Sequence, residues 1–305
     1  MRRNPKSADI QSRPRFYWTW DNISLSFIAY FVVGLFSLLC FIPFLYVLVY
    51  AFTPYDLYLQ NPLSLWPKRW TLSAFRQVLD YRYIWSGYLN TIFISVIGTI
   101  LSTILLVLTA YPLSKKQLKG RSFIMTLWII TMFFGGGMIP NYMLIRSLGL
   151  LNNLWALILP SLLGAYNLIL MKNYIQGLPA SIEEAALIDG ANDIQVLFRV
   201  VLPLCPPILA TLGLFSLVGY WNSYFNAIIY LPRRHNWPLQ LVLREIVFES
   251  ASNEIGQGLA AGERVTSPFP LKMSSIVVAT LPIMMVYPFI QKYFMTGLVL
   301  GGVKE

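Results

Sequence analysis

Six stretches of the sequence, residues 25–52, 90–113, 123–142, 154–171, 205–231 and 273–290, contain no Asp, Glu, Lys or Arg. A helix needs about 20 predominantly apolar residues to cross the hydrocarbon of a bilayer. No water is available there to satisfy backbone N–H and C=O groups, so a spanning segment of this kind folds as a helix. The expected fold class is therefore all-α, a polytopic membrane protein with six transmembrane helices. An even number of spans puts both termini on one side. Composition agrees, with 56% hydrophobic and 12% charged residues in 305, against about 25% charged in a soluble domain. The net charge of +10 fits loops facing anionic lipid headgroups. It has no soluble basic face on which to bind nucleic acid.

Short basic loops set the orientation. Arg2, Arg3, Lys6, Arg13 and Arg15 precede the first segment, and Lys115, Lys116, Lys119 and Arg121 follow the second. Both groups fall on one side, which is expected to be cytoplasmic. The loop after the third segment carries only Arg146, as an external loop should. Loops 53–89 and 232–272 also carry basic residues, but long loops follow the rule weakly. No A-x-A-like cleavage site follows the basic start, so the first helix is expected to be retained. The loop sequence TPYDLYLQNPLSLWPKRW carries aromatic residues suited to the membrane–water interface. Cys40 and Cys205 lie in or beside apolar runs and read as small buried hydrophobes, not as a disulfide or a metal site. His235 stands alone in a loop. No G-x-x-x-x-G-K-[ST] phosphate loop occurs, so no nucleotide or other cofactor is expected in this chain. The run FFGGGM has glycines, but within an apolar segment they suit close helix packing or a helix break.

One segment is unlike its neighbours: EEAALIDGANDIQVLFRVVLP, residues 183–203. Ser181 and Glu184 have the spacing of a capping box after Pro179, and Glu183 and Glu184 suit the positive end of a helix dipole. Ala185 and Ala186 present little side chain, so a partner surface can come close. Gly190 is suited to end that helix at positive φ. Asn192 can cap a second helix with Gln195 as its partner. Ile194, Leu197, Phe198 and Val201 then follow an i, i+3, i+4, i+7 stripe. These features predict two short helices, elbowed at a glycine, on the cytoplasmic face, forming a docking device for another protein.

Glu184-Ala185-Ala186, three residues, Gly190, nine residues, Val200, one residue, Leu202-Pro203 resembles the EAA loop of ATP-binding-cassette importer permeases, E-A-A-x3-G-x9-I-x-L-P, departing only at Val200. The resemblance covers most of the chain. Residues 133–153 and YWNSYFNAIIYL, 220–231, look like the polysaccharide branch of the maltose-type sugar permeases. GLVLGGVKE, 297–305, resembles the tail with which such permeases touch their ATPase. The resemblance implies a type I importer permease fold with both termini cytoplasmic, in the bacterial cytoplasmic (inner) membrane. Its parts would be a basic arm over 1–24, a permease domain over 25–297 with the coupling loop at 181–203, and a tail over 298–305. The subunit would not itself be an enzyme. Its partners would be a homologous second permease, two cytoplasmic ATP-binding subunits, an extracellular or periplasmic solute-binding protein, membrane lipid and a sugar substrate. Docking to the ATPase would fall to Glu184, Ala185, Ala186, Gly190, Gly301 and Gly302.

Other readings stay open on the residues alone. An ion-coupled transporter usually needs ionisable groups in its spans; the six segments have none, although sodium sites can be built from carbonyls. An importer of a non-sugar solute can share an EAA-like loop, and a scaffold without transport is a further possibility. The fifth segment favours a sugar. If it is one helix, Trp221, Tyr224 and Phe225 share a face, with Asn222 and Asn226 on an adjoining strip. Rings cover the apolar faces of pyranoses, and amides bond hydroxyls. Tyr220, Trp221, Asn222, Tyr224 and Asn226 are the expected substrate-path residues. Arg233, Arg234 and His235 at the end of that segment would suit an acidic saccharide, or else are merely solvated.

Overall fold

The computed structural model describes residues 20–60, 66–257 and 268–302. The basic arm at Arg2–Arg15, residues 61–65 of the aromatic loop, and Lys304 and Glu305 lie outside the described residues. Among the described residues every regular element is helical. Three helices are continuous and long enough to cross a bilayer: α1 (Trp20–Ala51), α4 (Ile84–Ser114) and α14 (Pro268–Gly302). Short helices α2 (Tyr55–Gln60) and α3 (Ser73–Leu79) lie between α1 and α4.

The other expected spans are bent, and each bend has a local cause. Segment 123–142 divides into α5 (Arg121–Phe133) and α6 (Met138–Ser147), turned by 115°. Gly137 in this break has φ +83°, a conformation that glycine takes without strain. Of the two roles expected for FFGGGM, the break is realised; among the described residues, a Cβ on Gly135 would meet no atom within 4 Å. Segment 154–171 divides into α7 (Trp155–Ile158), a 3-10 turn containing Pro160, and α8 (Ala165–Gln176), with a 48° bend. Before the fifth segment, α9 (Ala180–Ile188) and α10 (Asp193–Val196) lead through π and 3-10 turns to α11 (Pro206–Trp221), which is turned by 83°. Pro206 and Pro207 start α11, where a missing N–H costs nothing. The fifth segment is also not one helix: α11 stops at Trp221, and α12 (Phe225–Tyr230) follows a non-helical step. Between α12 and α14 runs α13 (Leu239–Gln257).

The centre of the packing is α4, against which α8, α11 and α13 pack. Its inward face carries small residues, including Gly87, Ser95, Gly98 and Ser102, so neighbouring helices approach closely. A Cβ on Gly98 would stand 2.7 Å from the Tyr220 ring, and one on Gly87 would stand 3.3 Å from the Leu239 backbone. Most of α1 and much of α5 turn apolar side chains outward, although Met125 and Trp128 of α5 pack against the core. Cys40 is exposed on α1, contrary to expectation, because among the described residues α1 meets the core through its last turns around Tyr50 and Ala51; Cys205 is buried as expected. The aromatic loop is partly absorbed by packing. Tyr58 stacks on Phe269 at 4.1 Å, whereas Trp66 and Trp70 stay exposed.

Candidate functional site

At one end of the bundle lies the elbow. Pro179 precedes α9, so the helix starts at Ala180 and Ser181 falls inside its first turn; the expected Ser181–Glu184 capping box does not form. The end of the helix is as predicted. Gly190 has φ +85°, its N–H donates to Leu187 O at 3.1 Å, and the Ala191 N–H donates to Ala186 O at 3.0 Å. That pair of bonds is a Schellman cap. Asn192 and Gln195 form the expected reciprocal box, at 2.9 Å and 3.0 Å. The stripe after it does not hold. Val196, Leu197 and Val201 are buried, while Ile194 is 69% and Phe198 51% exposed. The π turn at Leu197–Val201 adds a residue to the turn, so burial follows i, i+5 from Val196 to Val201.

Within α9, Glu184 and Ala185 face outward, but Ala186 is half-buried and packs onto the core, so it offers less to a partner than expected. Ile188, 86% exposed, makes an apolar rim beside Gly190 with Leu187 and with Ile194 from the expected stripe; Leu187 and Ile188 were not among the expected docking residues. The signal was present in two large apolar residues, Leu187 and Ile188, one residue short of a helix-ending glycine. Glu183 forms an ion pair with Lys115, which also lies 4.3 Å from the Tyr111 ring centroid. This joins the elbow to the basic loop after α4, and Gln176 Nε2 donates to Ser114 O at 2.9 Å beside it. Burial pushes the Lys115 ammonium below its ordinary pKa, and the Asp193 carboxylate opposes that shift. A cavity of about 1040 Å³ opens here, with Lys115, Lys116 and Arg121 facing Glu183, Glu184 and Asp193. Gly301 and Gly302 are the last two residues of α14, helical and not an extended tail.

A second cavity, of about 430 Å³, lies between α4, the 3-10 turn at Leu159–Ser161, α8 and α11. Tyr220, Asn222, Tyr224 and Asn226 line it, as do Ser102, Ser161, Asn167 and Ser216 from sequence-distant elements. Among the described residues, none that lines it is charged. Tyr220 is buried; its hydroxyl donates to Ile158 O at 3.3 Å and stands 3.2 Å from Ser102 Oγ. Asn222 Oδ1 accepts from Gln240 Nε2 at 3.2 Å. Trp221 is turned elsewhere. Its Nε1 donates to Ala279 O at 3.0 Å, and its ring borders a separate apolar cavity with Leu217, Pro282 and Val286. Trp221, Tyr224 and Phe225 therefore do not share one helical face, because α11 ends between them.

The basic cluster beyond α12 is tied into the structure. Arg234 pairs with Glu245 at 2.7 Å, Tyr81 donates to Glu245 at 2.9 Å, and Asn90 Nδ2 donates to His235 O at 2.8 Å. Among the described residues no group of His, Cys, Asp and Glu could hold a metal.

No protein-family model matches the chain. The polygalacturonan/rhamnogalacturonan transport system permease protein YtcP of Bacillus subtilis (strain 168) is 43% identical over 275 residues, 88% of this chain and 94% of that protein. Protein LplC of the same organism is 40% identical over 267 residues, 86% of this chain and 89% of that protein. A crystal structure of a bacterial ABC transporter involved in the import of the acidic polysaccharide alginate matches with a TM-score of 0.79 and 33% identity, covering 91% of this chain and 99% of that one.

Proposed function

The chain belongs to the carbohydrate permeases of ATP-binding-cassette importers, multi-pass membrane proteins, and from that membership we propose a specific division of labour within it. The uncharged cavity lined by Tyr220, Asn222, Tyr224 and Asn226 is part of the path of an oligosaccharide or polysaccharide. The elbow at Gly190, with Glu184, Ala185 and the Ile188 rim, docks a separate ATPase subunit that hydrolyses the nucleotide. Gly301 and Gly302 contribute to the same docking from the end of α14.

Six spans, three of them bent, cross the bacterial inner membrane with both termini cytoplasmic. Two features support this topology: the end of α1 meets the start of α14, with Tyr50 and Phe269 ring centroids 5.9 Å apart, and the basic loop after α4 joins the elbow. The outward apolar faces of α1 and α5 suit lipid and a homologous second permease. A solute-binding protein delivers the sugar from the other side, and two ATPase subunits complete the assembly.

The observation that carries the transport reading is the cavity's lining: hydroxyls, amides and aromatic rings without a charge. That chemistry fits a polyhydroxylated solute, and it has no carboxylate with which to carry a coupling proton. Asn222→Leu tests it. Losing one amide partner should change the ranking within a panel of oligosaccharides taken up by the reconstituted transporter, by up to roughly tenfold between sugars. A proportional loss for every sugar, tracking complex yield, would mean that Asn222 only holds helices together.

A further inference from the structure

Arg244 lies in α13, one helical turn beyond Gln240. The two residues share a face at i, i+4, and both reach the non-helical step between α11 and α12. Gln240 bonds Asn222, and the Arg244 guanidinium lies 5.6 Å from the ring centroid of Tyr224. Asn222 and Tyr224 both line the 430 Å³ cavity. On the other side Arg244 lies 5.0 Å from the Phe248 ring centroid.

Two other basic side chains described above are held by carboxylates: Lys115 by Glu183 and Arg234 by Glu245. Arg244 is exposed and pairs with no carboxylate among the described residues. A guanidinium is attracted to the faces of aromatic rings, which hold it in place beside the cavity. Its planar fork of N–H donors matches a carboxylate with two parallel hydrogen bonds. The cavity itself supplies only neutral groups, so Arg244 is the described cation held on a cavity-lining ring.

We propose that Arg244 is a specificity-determining residue that selects anionic sugars, pairing with the carboxylate of a uronic acid unit as the chain enters beside Tyr224. The proposal rests on the sugar-permease reading and names the substrate class. It also moves the acidic-sugar contact from Arg234, which Glu245 already holds, to a cation on the next helix.

The test uses the complete transporter, with its binding protein, in lipid vesicles. Uptake is measured for an oligosaccharide of uronic acids and for its methyl ester, whose units are neutral. Wild type should favour the acid. Arg244→Gln should cut the acid-to-ester ratio about tenfold, the effect of one hydrogen-bonded charge pair. Arg244→Lys should fall between, since an ammonium keeps the charge and loses the fork. It also supplies the ratio if the glutamine variant is not recovered with its ATPase. A wild type that carries the ester as readily as the acid, or variants with an unchanged ratio, would overturn the assignment and leave the sugar reading standing. An unchanged ratio with uptake that follows the anionic lipid content of the vesicles would give Arg244 to a lipid headgroup. If neither compound enters wild-type vesicles while a neutral oligosaccharide does, this assignment fails and the sugar reading stands; if no oligosaccharide enters, both fail.

Discussion

Gly98→Ala tests the packing on which the cavity depends. The new Cβ would stand 2.7 Å from Cε2 and Cζ of Tyr220 and 2.9 Å from Cδ2. Carbon atoms in good contact sit about 3.5–4.0 Å apart, so the ring must retreat by about 1 Å. It is poorly placed to do so, because Tyr220 is buried and its hydroxyl is engaged with Ile158 O and Ser102. Overpacking a well-filled site costs about 1–3 kcal/mol. Losing the two hydroxyl contacts adds about 0.5–1.5 kcal/mol each. Alanine in a helix interior recovers about 1 kcal/mol over glycine. The steric terms win, for a net destabilisation of about 1–5 kcal/mol. The assay is thermal unfolding of the purified permease–ATPase complex, read by intrinsic fluorescence. Tyr220→Leu removes the ring, so Gly98→Ala placed on that background should cost at least about 1 kcal/mol less than it does alone. A wild-type midpoint for Gly98→Ala, or strict additivity in the double variant, would refute the close approach of α4 and α11.

Two further outcomes follow from the same geometry. At Gly190 a side chain meets open space, so the penalty is one of backbone conformation. Gly190→Val should uncouple sugar binding from ATP hydrolysis, while Gly190→Asn, which tolerates the left-handed region, should retain most of the stimulation; equal loss in both would point to crowding of the ATPase surface and not to the turn. Trp221→Phe removes the bond to Ala279 and should cost about 0.5–1.5 kcal/mol in complex stability with no change in sugar ranking. A changed ranking would put Trp221 back on the substrate path.

How much was legible depends on the range of the interaction concerned. The cap at Gly190 and the box at Asn192 and Gln195 are closed by bonds spanning no more than five residues, so residue type and spacing were sufficient to predict them. The Ser181 box failed within the same range because Pro179 competes to start the helix and moves Ser181 inside it. Ile194, Leu197, Phe198 and Val201 form an apolar stripe on a 3.6-residue period, but the π turn changes the period, so Leu197 and Val201 are buried while Ile194 and Phe198 are exposed. For the cavity, Tyr220, Asn222, Tyr224 and Asn226 were found because aromatic and amide side chains stand out in an apolar run. Ser102, Ser161, Asn167 and Ser216 do not stand out, and elements far apart in the chain bring them there.

The sequence by itself determined that this chain is helical and made for a bilayer. Charge-free runs leave the backbone no other way to satisfy its polar groups, and the turn at Gly190 follows from short-range capping. Tertiary structure alone decided which way each span faces. An apolar run is nearly equally hydrophobic all round, so hydropathy cannot distinguish the side of Trp221 that packs against α14 from the side of Tyr220 that meets the cavity. Close packing at Gly98, the break after Trp221 and the pairing of Lys115 with Glu183 make that choice. Each depends on which helices end up as neighbours, and single-span hydropathy contains no term for that.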